Sequence, residues 1–224
     1  MRRRLSVILV ALGLLAGCGE ERSGSGAAQL WITRDRGSDV IISTSVPAGV
    51  SAMEALRQEA DVETRYGGRF VHAINGIEGN VADRHDWFYF VNGYEADLSA
   101  TDYRLHNGDV LWWDHRSWER QMRQPVVIGA FPEPFLHGWG GERRPAVVRG
   151  PPGRLSRRLA ELVDGTLNSD RDGANELVLV GGSGFRARLS GSPGDPVRFE
   201  LGRAVAARLA RNPGVVRYRY EGMP

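Results

Sequence analysis

The sequence predicts an α+β chain, a β-grasp-like domain over residues 29–120 followed by a ferredoxin-like (split βαβ) small α/β domain over residues 126–224. Three observations predict it. Elements in the first half run ββαβββ around one amphipathic helix. Those in the second half run βαββαβ, the split-βαβ order. The charge changes sign between the halves, with 11 Arg and 17 acidic residues over 18–125 but 15 Arg and 10 acidic residues over 126–224. A polar stretch ending in Pro, residues 121–125, separates them.

The first half begins with strands at 30–33 and 40–44, with turn chemistry at Asp35, Arg36, Gly37 and Ser38 between them. Ser51 followed by Glu54 is a capping box, because hydroxyl and carboxylate each satisfy an orphan N–H of a first helical turn. The helix should run over 52–60 with Met53, Leu56 and Ala60 on its buried stripe. Strands follow at 69–74, 87–91 and 109–113, with Asn75-Gly76 and Asn92-Gly93 as turns. In the second half, strands are expected at 145–149, 176–180, 185–189 and 215–220, and helices at 154–163 and 201–210. Gly181-Gly182-Ser183-Gly184 supplies a hairpin, and Asn212-Pro213-Gly214 stops the second helix.

Residues 1–17 read as an export signal: Arg2, Arg3 and Arg4, an apolar run over 5–16, then small residues. Twelve apolar residues at 1.5 Å each reach only ~18 Å, too little to cross a bilayer. Leu15-Ala16-Gly17-Cys18 resembles a bacterial lipobox. That resemblance implies cleavage before Cys18, acylation of its thiol, and anchoring at the extracytoplasmic face of the cytoplasmic membrane. Residues 18–28, polar and rich in Gly and Ser, then form a flexible tether.

Composition excludes several chemistries. All 29 basic residues are Arg, so there is no P-loop lysine and no Schiff-base lysine. One cysteine allows neither an internal disulfide nor a cysteine-based zinc cluster. The aromatic-rich half is acidic, the wrong sign for phosphate backbones, so no nucleic-acid partner is expected.

The densest feature is aromatic. Nine of the 19 aromatics fall between His85 and Trp118, among them Trp87, Phe88, Tyr89, Phe90, Tyr94, Tyr103, Trp112 and Trp113. Alternation sends Trp87 and Tyr89 to one face of a strand and Phe88 and Phe90 to the other. One helix covers only one face of a small sheet, so part of this set should be exposed as a ligand or partner surface.

The stretch Asp86–Tyr94, then Asp102-Tyr103-Arg104-Leu105, then Asn107–Trp113, resembles the bacterial DUF4430 domain, as does the helix entry Val50–Leu56. That domain is similar to the C-terminal β-domain of transcobalamin and intrinsic factor, and the resemblance covers residues 30–118. It implies a non-enzymatic binding protein for a corrinoid (cobalamin-like) or another large flat small molecule, accessory to a vitamin uptake transporter. Its ligand-binding residues would be Trp87, Tyr89, Phe90, Asn92, Tyr94, Asp102, Tyr103, Trp112 and Trp113. The alternative is an envelope lipoprotein whose aromatics fill an interdomain or partner interface.

Two weaker patterns complete the reading. His85 with Asp86, and Asp114 with His115, have acid–base chemistry, but neighbours on a strand diverge. There is no HExxH and no GxSxG, and no catalytic residue is assigned. Asp170, Asp172 and Glu176 with Gly173 resemble the first half of a calcium loop, but Leu179 stands where the bidentate Glu belongs. No metal is expected there.

Overall fold

The computed structural model describes residues 26–221; the expected export signal and Cys18 lie outside the described residues. Among the described residues no helix is long and apolar enough to cross a membrane. The chain is mixed α/β, mostly sheet with few helices.

The first sheet has the order β2-β1-β8-β6-β7. Its strands are β1 (Ala27–Arg34), β2 (Asp39–Pro47), β6 (His85–Val91), β7 (Tyr94–Glu95) and β8 (Val110–Ser117). β1 runs parallel to β8 at the centre, and the other neighbours are antiparallel. Between β2 and β6 come α1 (Ala52–Glu59) and a small sheet of β3 (Val62–Arg65), β4 (Phe70–Ile74) and β5 (Ile77–Glu78). The capping box is present. The amide of Glu54 donates to the Ser51 hydroxyl at 3.1 Å, and the Ser51 amide donates to the Glu54 carboxylate at 2.7 Å. The buried stripe of α1 is Ala52, Met53, Ala55 and Leu56; Ala60 is its C-cap. β3 was not foreseen, because four residues with Glu and Arg at alternate positions read as a solvated helix end.

One face of the first sheet packs Trp87, Tyr89, Leu111 and Trp113 against α1. The opposite face carries Trp31, Phe90 and Trp112, and it is covered too, by Val127, Ala130 and Tyr220, with Tyr218 at the margin. That second cover overturns the expectation of an exposed aromatic face. A connecting segment and the chain's own C-terminal residues perform the task that a second helix would otherwise perform.

The second sheet has the order β10-β9-β11-β13-β12. Its strands are β9 (Ala146–Arg149), β10 (Thr166–Leu167), β11 (Asn175–Val180), β12 (Phe185–Leu189) and β13 (Val197–Gly202). The pairs β10–β9, β9–β11 and β11–β13 are parallel, and only β12–β13 is antiparallel. This differs from the split-βαβ plan. The expected strand at 215–220 is instead a 3-10 helix (Pro213–Val216) and an unpaired tail. Asn212 caps that helix by accepting from the Gly214 amide at 3.0 Å, and Tyr218 and Tyr220 turn toward the first sheet. The fourth major strand is β13, where Val197, Phe199 and Leu201 alternate with Arg198 and Glu200. Helices α2 (Arg154–Leu162) and α3 (Arg203–Arg211) pack on this sheet through Leu159, Val205, Ala206 and Leu209. Tyr94 of the first sheet, with Val126, Ile128, Phe131 and Phe135, joins the same core.

Candidate functional site

The nine residues expected to bind ligand are placed as follows. Tyr89 and Trp113 stack with ring centroids 4.9 Å apart inside the α1-side core. The Tyr89 hydroxyl donates to the Leu98 carbonyl at 2.8 Å. The Trp87 indole donates to the Ile77 carbonyl at 2.8 Å, and its ring is buried. On the other face the Trp112 indole donates to the Thr33 hydroxyl at 2.7 Å, and Phe90 meets Tyr220 edge-on at 5.2 Å. Tyr94 donates to the Asp195 carbonyl at 3.2 Å. Tyr103 packs on Trp139 at 4.7 Å and donates to Asp109 at 3.3 Å. Asn92, fully buried with φ 51°, bridges Asp109 (2.7 Å), the Gly138 carbonyl (2.9 Å) and the Val110 amide (2.8 Å). Asp102 alone is solvent-facing, in an ion pair with Arg69 at 2.5 Å. The other eight side chains are therefore core and turn-locking groups. The polar tips of Trp87, Tyr89 and Tyr94 reach carbonyls and those of Trp112 and Tyr103 reach side-chain oxygens, the ordinary way such rings are buried, while the Trp113 indole N–H finds no partner among the described residues.

The loop at Asp170, Asp172 and Glu176 does not converge. The Glu176 carboxylate is held by Arg149 and by Arg198, the latter at 2.5 Å, and Asp170 stands in solvent 3.9 Å from Arg149. Among the described residues, no three His, Cys, Asp or Glu side chains are grouped to hold a metal ion.

The titratable side chains that do converge lie at the open end of the first sheet. A hollow of about 700 Å³ is lined by Arg65, His72, Glu78, His85 and His115, and closed on one side by residues 79–83. Its loop is locally determined. The Asn80 side-chain oxygen Oδ1 accepts from the Ala82 amide at 2.8 Å, its side-chain NH₂ donates to Asp83 at 2.6 Å, and Asn80 and His85 exchange backbone hydrogen bonds at 2.8 and 3.1 Å. A Cβ on Gly79 would come within 2.4 Å of an Asp86 carboxylate oxygen, so a side chain there would displace that carboxylate.

Alternation within strands explains which partners meet. His85 and His115 sit on the same face of adjacent strands, with rings 5.7 Å apart and stacked, and Trp87 backs His115 at 5.1 Å. Asp114 points to the opposite face, where it accepts from Thr33, Tyr220 and two backbone amides. Asp114 and His115 are thus no acid–base pair. A carbonyl can only accept, so His85 donates from Nδ1 to Asp83 (2.7 Å) and His115 from Nε2 to Glu78 (3.1 Å). Arg65 can only donate, so His72 Nε2 accepts from it at 2.8 Å. Glu78 reaches to 3.6 Å from the same nitrogen.

Burial pushes the His115 imidazole below its ordinary value, outweighing the Glu78 carbonyl bond that works the other way, with nearby His85 adding to the depression. Burial likewise raises the Asp86 carboxyl, against its bond from the Trp87 amide and against His115, His72 and Arg65. At neutral pH, then, His115 offers a neutral ring beside the guanidinium of Arg65 and the carboxylate of Glu78. Such a site can hydrogen-bond and stack a small polar ligand. Arg65 and Glu78 were missed in the sequence because they come from the unforeseen β3 and β5, and His72, on the expected strand β4, has no partner within that strand to mark it. Only the His85–His115 pair left a signal, and it needs the β6–β8 register to be read.

The family model described as a domain of unknown function, DUF4430, matches residues 49–117, a stretch that contains every residue lining the hollow. No curated protein matches the chain. Among solved structures, a proposed metal-binding protein from Ruminococcus gnavus is 12% identical with a TM-score of 0.34, over 41% of this chain and 97% of that one. Haptocorrin in complex with Cbi is 17% identical with a TM-score of 0.32, over 41% of this chain and 26% of haptocorrin.

Proposed function

We propose that the chain, whose residues 49–117 are a DUF4430 domain, is a non-enzymatic, extracytoplasmic binding protein tethered to the membrane through Cys18. Its small-molecule ligand sits in the histidine hollow rather than on the buried aromatics. The observation that carries this reading is the convergence of three imidazoles, Arg65 and Glu78 on one open concavity inside the matched domain. About 700 Å³ falls in the range of small-molecule sites. The stacked His85 and His115 rings favour a flat ligand, or the flat part of a larger one such as a corrinoid. The β1–β2 hairpin, the single helix α1 and the central parallel β1–β8 pair support a β-grasp scaffold. A transporter subunit would be the acceptor of the captured ligand.

Native mass spectrometry of the lipidated protein released from membranes tests this, together with titration by cyanocobalamin. The expected result is a retained mass, or saturable cyanocobalamin binding, that His85→Ala and His115→Ala weaken about tenfold by removing a stacking and hydrogen-bonding partner. Absence of both in wild-type protein overturns it. That outcome would favour the interaction-lipoprotein reading, supported by Tyr94, Phe90 and Trp112 lying where the first sheet meets residues 126–135 and the C-terminal tail.

A further inference from the structure

The second sheet carries a cationic hollow separate from the histidine site. Strands β9, β11 and β13 are mutually parallel, so their carboxyl ends lie along one edge. From β9 the chain passes to one side into β10 and returns on the other side into β11. Ligands of open parallel sheets bind outside carboxyl ends where the chain direction diverges in this way. A hollow of about 1310 Å³ lies there, bounded by residues 151–153 after β9, by Gly181 and Gly182 after β11, and by the facing stripes of α2 and α3.

Five arginines line it: Arg154, Arg157, Arg158, Arg203 and Arg211. Glu161 is the one acidic side chain in the lining, and it pairs with Arg158 at 3.0 Å. Arg154, Arg157, Arg203 and Arg211 have no ion-pair partner among the described residues, whereas the strands beneath pair Arg149 with Glu176 and Arg198 with Glu176 and Glu200. The placement also runs against helix electrostatics. Arg154 and Arg157 stand in the first turn of α2 and Arg203 begins α3, where the macrodipole disfavours cations; neither first turn holds an acidic residue. Both helices begin at glycine, Gly153 and Gly202, with no side-chain cap. Local choices that jointly cost stability mark functional sites. Unpaired guanidinium groups around a concavity match a phosphate, which takes their forked N–H donors bidentately. Leu155, Leu179 and Ala207 give the hollow an apolar floor.

The geometry points to a phosphate-binding site in this hollow, whose ligand is a phosphorylated molecule, either a soluble phosphate ester or the headgroup of an anionic lipid. The full chain in neutral detergent is titrated calorimetrically with inorganic pyrophosphate, and in parallel with micelles doped with phosphatidylglycerol or phosphatidylcholine. The variants are R154Q/R203Q and, as a control for bulk charge, R188Q/R208Q, whose exposed arginines lie outside the hollow. The expected result is saturable binding of pyrophosphate, or of phosphatidylglycerol but not phosphatidylcholine, weakened at least about tenfold in R154Q/R203Q and little changed in the control. Pyrophosphate binding identifies a soluble ester, and phosphatidylglycerol binding alone a headgroup. The melting temperature of R154Q/R203Q is expected to stay level or rise, since cations leave two helix N-termini. Equal weakening in both variants, or no saturable binding of either probe, overturns the proposal.

Discussion

The hydroxyl of Tyr220 donates to Oδ2 of Asp114 at 2.7 Å, joining residues 106 positions apart and closing the C-terminal tail over the first sheet. The Tyr220 ring lies edge-on to Phe90 and Trp112, at 5.2 and 5.3 Å, and Arg36 stacks over it at 4.4 Å. With Val127 and Ala130, this contact converts an aromatic strand face into interior.

Tyr220→Ala should cost about 3–5 kcal/mol by leaving a cavity over Trp112. Tyr220→Phe should cost only about 1–2 kcal/mol, because Asp114 keeps the Thr33 hydroxyl and the Arg36 and Gly37 amides. Urea unfolding read by tryptophan fluorescence measures both. An alanine variant as stable as wild type would show that the tail does not seal this face.

Gly37 supports the same seal. Its φ is 79°, and a Cβ there would come within 1.7 Å of the Tyr218 carbonyl oxygen. Gly37→Ala should lose about 1–2 kcal/mol from the left-handed backbone alone. The tail must also move, so near-ultraviolet circular dichroism of Trp31 and Trp112 should change with it.

Arg116 is fully buried, 3.2 Å from Glu95, and its guanidinium lies 3.7 Å over the Phe88 ring. Arg116→Met strands the Glu95 carboxylate and should cost about 3–5 kcal/mol. Adding Glu95→Gln should recover part of that loss. Strict additivity of the two substitutions in urea unfolding would show that the pair is not coupled.

Two histidines should act oppositely on stability as pH changes. The Glu133 carboxylate, 2.5 Å from Nδ1, holds His137 above its ordinary value, so its contribution is complete below about pH 6.5 and lost as pH rises through the raised folded value. His115 is depressed by burial, so the unfolded chain takes the proton first and stability falls as pH drops below about 6.5. The destabilisation by His137→Gln should therefore shrink from pH ~5 to pH ~8, and His115→Gln should lose less stability on acidification than wild type. Parallel pH profiles for both variants and wild type would contradict the assignments.

Local chemistry was legible wherever neighbours in sequence are neighbours in space. The Ser51–Glu54 capping box, the buried stripe on α1, the Asn92 turn with its positive φ and the aromatic strands β6 and β8 all follow from spacing alone. The same alternation marks β13, but Leu201 was read as the start of the next helix, and the strand went with it. The candidate site was legible only in part. His85 and His115 are 30 positions apart, and only the β6–β8 register brings them together.

By itself, the sequence determined the capped helix α1, the main strands of the first sheet and the resemblance to the DUF4430 domain that the family match at residues 49–117 bears out, because these rest on short-range periodicity and on residue types at fixed spacing. Tertiary structure alone decided which rings are hidden. Burial depends on what lies above each face, and here the cover is Val127 and Ala130 from a connecting segment and Tyr220 from far along the chain. It also set the directions of β9, β11 and β13, and hence the placing of Arg154, Arg157 and Arg203 at the one edge where α2 and α3 begin, since strand direction follows from the crossovers rather than from any strand's own residues.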